Sequence, residues 1–157
     1  MKVVDTTMVT CNALSDGSAV VVAEGGEAPY IYLWDDSIST ENDSIDGLAT
    51  GVYNVVVSDE NGCNALASVS IKQPEALEAL INTTTSTACS TPCSGEATVV
   101  VTGGTSPYLY QWDDLSEQTS TTASSLCAAQ YSVVVSDKNG CEDSVVTLIT
   151  CLLYTSP

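Results

Sequence analysis

Seven cysteines, two Asp-Asp pairs that each follow a tryptophan, and the absence of histidine define what chemistry this 157-residue chain could do. Acid-base or nucleophilic catalysis needs a base beside an activated nucleophile. The sequence has no His, no Gly-x-Ser-x-Gly elbow and no phosphate loop. Asp35-Asp36 and Asp113-Asp114 are adjacent on extended segments, so their side chains point to opposite faces and do not converge as a catalytic pair. The chain therefore reads as a non-enzyme. Loop carboxylates are also the hard oxygen ligands that calcium takes, which makes Asp35, Asp36 and Asp43, with Asp113 and Asp114, candidate calcium ligands. The simpler reading is a solvated acidic loop and no cofactor. Without His, the cysteines do not resemble a closed zinc set, and disulfides formed in an oxidising compartment are the expected use.

Three lysines, no arginine and 20 acidic residues give a net charge of -17, which repels nucleic acid and anionic membrane surfaces. No apolar run approaches the roughly 18 residues that span a bilayer, so no membrane insertion is expected. Met1-Lys2-Val3-Val4-Asp5 does not continue into a signal-peptide core. A disulfide-bonded extracellular chain without such a core is expected to be an internal piece of a longer exported protein.

The elements that must position these residues emerge when the chain is compared with itself. An offset of 78 residues superposes Cys11 on Cys89, Pro29 on Pro107, Trp34 on Trp112, Tyr53 on Tyr131 and Cys63 on Cys141. From Cys11 to Ile71, 24 of 61 positions are identical without a gap, which marks a tandem duplication with a linker near Gln73-Pro74-Glu75. The expected domains are residues 1–75 and 76–150, with 151–157 outside the repeat. Both copies show short Val- and Thr-rich strands with period-2 alternation. Leu33 is replaced by Gln111, so the face bearing Tyr30, Tyr32 and Trp34 is the core face. The same test turns Val21, Val55, Val57, Val69 and Ile71 inward, with Val99, Val133, Val135, Thr147 and Ile149 as counterparts. Trp34, Tyr53, Trp112 and Tyr131 are the core markers, and aromatics so placed are not free to form a sugar-binding face.

At Asn61-Gly62 and Asn139-Gly140, both residue types tolerate the positive φ of a tight hairpin. Tyr53 and Tyr131 enter a strand just after a turn, as in the tyrosine corner of immunoglobulin-like sandwiches. The fold class is all-β: two tandem immunoglobulin-like, Greek-key β-sandwiches. Lys138 in place of Glu60 argues against a metal at the hairpin.

Cys11 and Cys63 are the only cysteines of copy one, so their pairing is the simplest reading, and Cys89 with Cys141 follows by the offset. Cys93 and Cys127 replace Ser15 and Ala49 together, which suggests a second, copy-specific disulfide. A bridge between copies, such as Cys63 to Cys89, and free buried thiols remain open alternatives. Closing a loop of some 50 residues is worth about 4 kcal/mol in the chain-entropy model.

With those residues in place, both copies resemble the SprB repeat of Bacteroidetes cell-surface adhesins. The carriers are the first Cys, Gly-Gly followed by Pro-Tyr-x-Tyr-x-Trp, the Leu-x-x-Gly-x-Tyr turn, the valine strand, Asp-x-Asn-Gly-Cys and the closing Gln73-Pro74. The resemblance implies an extracellular or cell-surface location, a role in adhesion or gliding, and no catalytic residues. The implied partners are other repeats of the same larger protein, with a glycan or surface protein as ligand in the alternative reading of a binding module. Cys151 to Pro157 resembles the in-frame translation of a transposase adapter used in preparing sequencing libraries.

Overall fold

The computed structural model describes residues 2–35, 40–88 and 93–152. It divides into two units, Met1–Pro74 and Glu75–Pro157. The boundary falls one residue before the expected one, inside the Gln73-Pro74-Glu75 linker. No helix occurs among the described residues.

The first unit has six strands: β1 (Lys2–Thr7), β2 (Gly17–Val22), β3 (Ile31–Trp34), β4 (Ser44–Leu48), β5 (Gly51–Ser58) and β6 (Asn64–Ile71). They form two antiparallel sheets ordered β1-β2-β4 and β3-β5-β6. The chain crosses between sheets after β2, β3 and β4, which places the strands as A, B, E and C, F, G of an immunoglobulin-like sandwich. The second unit repeats the plan with β7 (Glu78–Thr85), β9 (Gly95–Thr102) and β11 (Thr122–Leu126) against β10 (Leu109–Trp112), β12 (Ala129–Ser136) and β13 (Glu142–Ile149). It adds β8 (Thr87–Ala88), paired in parallel with β14 (Cys151–Leu152). Residues 151 and 152, placed outside the repeat on sequence, thus form a strand of the second unit.

Alternation decides what is buried. In β5, Val55 and Val57 point inward and meet Ala19 and Val21 of β2, Val69 and Ile71 of β6, and Trp34 of β3. The second unit repeats this with Val133, Val135, Ala97, Val99, Ile149 and Trp112. Thr147 is the polar member of this face and is buried. Leu33 and Gln111, on the opposite face, are exposed. Antibody domains carry an inter-sheet disulfide beside the strand-C tryptophan; small aliphatic side chains fill that space here. Each buried indole N–H keeps a partner, Trp34 Nε1 donating to the Asn42 carbonyl at 2.8 Å and Trp112 Nε1 to that of Ser120 at 2.9 Å.

Two glycines are required by packing. A Cβ at Gly17 would lie 2.7 Å from Ile71 Cγ2, and one at Gly95 would lie 2.6 Å from Ile149 Cγ2. Here β2 and β9 pass too close to the last strand for any side chain.

Candidate functional site

The connections gather at the two ends of each sandwich. At one end the β2–β3 loop docks on the β5–β6 hairpin: the Glu60 N–H donates to the Glu27 carbonyl, and in the second unit Lys138 N–H donates to Thr105. Tyr30 and Tyr108 hold that loop by donating their hydroxyls to the Gly25 and Gly103 carbonyls. Asp137, buried at the second hairpin, accepts from the backbone N–H groups of Thr105, Asn139 and Cys141. Burial opposes its charge, but the backbone donors outweigh this and hold its carboxyl below the ordinary range. Asp59 is lowered chiefly by the Cys63 N–H.

The hairpin geometry differs from expectation. Gly62 and Gly140 have φ of 80° and 83°, whereas neither Asn61 nor Asn139 has positive φ. The Gly62 and Gly140 N–H groups donate back to the Asp59 and Asp137 carbonyls. This is a type I turn closed by a left-handed glycine, which needs one special residue rather than two.

Among the described residues, the candidate calcium ligands do not converge. Asp35 accepts from the Asn54 N–H and Nδ2, both at 2.7 Å, and Asp113 accepts from the Ser132 N–H and hydroxyl, both at 2.8 Å. Both carboxylates therefore tie the end of the tryptophan strand to the tyrosine strand. Asp114 is buried and turns into its own loop, accepting from the backbone N–H of Ser116 and Gln118 and the Gln118 amide. Burial works against its charge, yet the Gln118 bonds lower its pKa. Asp43 is exposed, and Asp36 lies outside the described residues. No three His, Cys, Asp or Glu side chains gather for a metal among the described residues.

The cysteines correct one expectation. Cys11 and Cys63 are not paired: Cys11 is disulfide-bonded elsewhere, while Cys63 is an exposed free thiol. Cys63 sits at the start of β6, in the hairpin end. Cys11 lies in the β1–β2 connection, where Asn12 and Ala13 bond Pro74 and Gln73 just past the end of β6. The eight residues of β6 separate the two by roughly 25 Å at about 3.3 Å per residue, far beyond disulfide reach. Cys93 and Cys127, in the β8–β9 and β11–β12 connections at one end of the second unit, are joined across 34 residues. Cys141 and Cys151 are also disulfide-bonded, and Cys89 lies outside the described residues.

The tyrosine turns differ in hydrogen-bond direction. The Tyr53 hydroxyl donates to the Ala49 carbonyl, whereas the Tyr131 hydroxyl accepts from the Cys127 N–H. A Cβ at Gly51 would meet the Tyr53 ring at an ordinary 3.6 Å, so Ala129 fits the corresponding place. Sequence reasoning missed the roles of Asp35 and Asp113, whose signal was a polar residue, Asn54 or Ser132, 19 positions on in both copies.

Among solved structures, a C-terminal 282-residue fragment of intimin, crystallised with the intimin-binding domain of its translocated receptor, is 7% identical with a TM-score of 0.45. That alignment covers 96% of this chain and 64% of the fragment, so the chain spans less than two thirds of the fragment's length. The amphioxus IgVJ-C2 molecule is 10% identical with a TM-score of 0.38, covering 92% of this chain and 96% of that one. No curated protein matches. The family model of the SprB repeat matches residues 3–37 and 81–116. Their starts are 78 residues apart and each match runs from the first strand past the core tryptophan, so two tandem segments of the chain are each similar to the SprB repeat.

Proposed function

We propose that this chain is a non-catalytic repeat region of a secreted or cell-surface adhesin, where the sandwiches space and present other parts of the protein during adhesion or gliding. One observation carries the reading. The same six-strand unit is built twice, and the polar residues common to both copies are spent on holding it together. Asp35, Asp59, Asp113 and Asp137 brace strands and turns, and both tryptophan N–H groups close loops. The Cys93–Cys127 bridge suits an oxidising, extracellular setting. The partners on this reading are other repeats of the same surface protein, and it invokes no cofactor, since Asp35, Asp113 and Asp114 already accept hydrogen bonds within the fold.

The test is reach. One, two or four tandem copies of the pair, placed on a bead beneath a reporter domain of known ligand, should extend the reporter's capture distance in step with copy number. A distance that does not grow, or hydrolytic activity that copurifies with the chain, would overturn the reading. Calcium against chelator should leave the melting temperature unchanged. A calcium-dependent rise would restore the metal-binding alternative.

A further inference from the structure

The loops that follow β2 and β9 each carry two adjacent glycines, Gly25-Gly26 and Gly103-Gly104, all four with positive φ. Both pairs are held alike. The Tyr30 and Tyr108 hydroxyls donate to the Gly25 and Gly103 carbonyls, and Asp59 and Asp137 accept from the N–H groups that come next, those of Glu27 and Thr105. What lies on the glycines differs. In the second unit the segment leading into β7 crosses them: the Gly104 N–H donates to the Glu75 carbonyl at 3.0 Å, a Cβ at Gly103 would overlap the Ala76 carbonyl, and one at Gly104 would lie 2.8 Å from Leu77 Cδ1. Backbone passes this close only over residues without side chains.

In the first unit Gly25 and Gly26 are exposed, whereas Gly103 and Gly104 are half-buried. Moved by 78 residues, Glu75, Ala76 and Leu77 fall ahead of Met1. Among the described residues nothing lies within 4 Å of a Cβ placed at Gly25, and the Gly26 N–H has no acceptor. A cavity of about 160 Å³ opens beside the two glycines, walled by Ala23, Tyr30, Val57, Asp59 and Cys63. It is smaller than the roughly 300–1,000 Å³ of small-ligand pockets, so it suits one side chain on a passing backbone rather than a free ligand.

We propose that Gly25-Gly26 and this cavity are the docking slot for a linker of the Glu75-Ala76-Leu77 kind, supplied by a further repeat joined ahead of the first unit. The chemistry of the occupant follows from the second unit. One carbonyl accepts from the Gly26 N–H, a small residue passes over Gly25, and a leucine covers Gly26 and enters the cavity. The tyrosine and aspartate bonds already hold the glycine loop in shape, so docking orders little beyond the linker itself. The inference rests on the reading of the chain as a region of tandem repeats, and adds the means by which one repeat takes up the linker of another.

The experiment compares the full oxidised chain with two extended forms. One carries a copy of residues 73–78 fused ahead of Met1, which sets the copied Glu75, Ala76 and Leu77 at the 78-residue offset; the other carries a Gly-Ser extension of equal length. The copied linker should slow hydrogen exchange at the Gly26 amide about tenfold and raise the unfolding midpoint of the first unit, and the Gly-Ser extension should do neither. A copied linker carrying Leu77→Asp should lose both effects. Gly25→Ala is strained at its φ of 82° with or without the linker, so it is read as a difference: in that background the linker should add no stability. The proposal is overturned by equal effects of the linker and the Gly-Ser extension, by full effects of the Leu77→Asp copy, or by an undiminished gain in Gly25→Ala. Gly26 protection in the unextended chain that rises with protein concentration would also overturn it, because a second copy would then be the occupant. The Leu77→Asp copy keeps the test decisive if Gly25→Ala misfolds. A negative result leaves the spacer reading standing, since that is judged by reach.

Discussion

Ser125 has φ of 58°, a left-handed conformation that side chains avoid, while Gly47 occupies the same place in the first copy with φ of 70°. Both sit at a break in strand register, between Ala123 and Leu126 in one unit and between the residues facing Gly17 and Ala19 in the other. Ser125→Gly should stabilise the second unit by about 1 kcal/mol, and Gly47→Ser should cost the first unit a similar amount, read from urea unfolding midpoints. At Gly17 and Gly95 the contact is between packed atoms, and Ala at either place should cost about 1–3 kcal/mol. Asp137 contributes through charge. Its folded pKa lies below the ordinary 3.8, so its contribution is complete above that value and drains away as pH falls through the lowered one. Asp137→Asn should therefore destabilise at pH 7, flatten the acid-unfolding profile, and converge with the wild type toward pH 2. An unchanged profile would show that the backbone bonds to Asp137 carry no net charge effect.

Elements show what was legible in the sequence and what was not. Inward faces were legible because burial repeats every second residue and the copies disagree only outside: Leu33 against Gln111 exposes the outer face, while Val55 and Val133 agree. The cysteine pairing was not legible from spacing, because residue separation says nothing of position along a strand. The immunoglobulin-like topology held the missing information, since it puts the β1–β2 and β5–β6 connections at opposite ends of a sandwich. The same topology brings the β8–β9 and β11–β12 connections to one end, where Cys93 meets Cys127. Asp35 and Asp113 looked like candidate ligands because their donors, Asn54 and Ser132, become neighbours only through strand pairing. Two outcomes follow at this scale. Alkylation of the native, unreduced chain should label Cys63, located by peptide mapping. Replacing Cys93 and Cys127 by Ser should cost the second unit about 3–4 kcal/mol on the chain-entropy estimate for a loop of this length.

For the molecule as a whole, repetition turns local stability into mechanics. Each unit has its own core, and in a repeat array such units contribute nearly separate unfolding steps. The units are not equal, since the second carries the Cys93–Cys127 staple and the first has Ser15 and Ala49 at the corresponding places. Pulled by its ends in a force spectrometer, the oxidised Cys11→Ser chain, in which no disulfide of Cys11 shields residues from the load, should unfold in two steps. Its second unit should lengthen less than its residue count allows, because the 34-residue loop stays closed. Reduction should add at least about 110 Å to that step at roughly 3.3 Å per residue, and should bring the two unfolding forces closer together. A single concerted step would mean that the units share one cooperative core. Equal lengths before and after reduction would mean that the bridge does not lie in the load path. Either result would remove the mechanical basis for a stapled spacer.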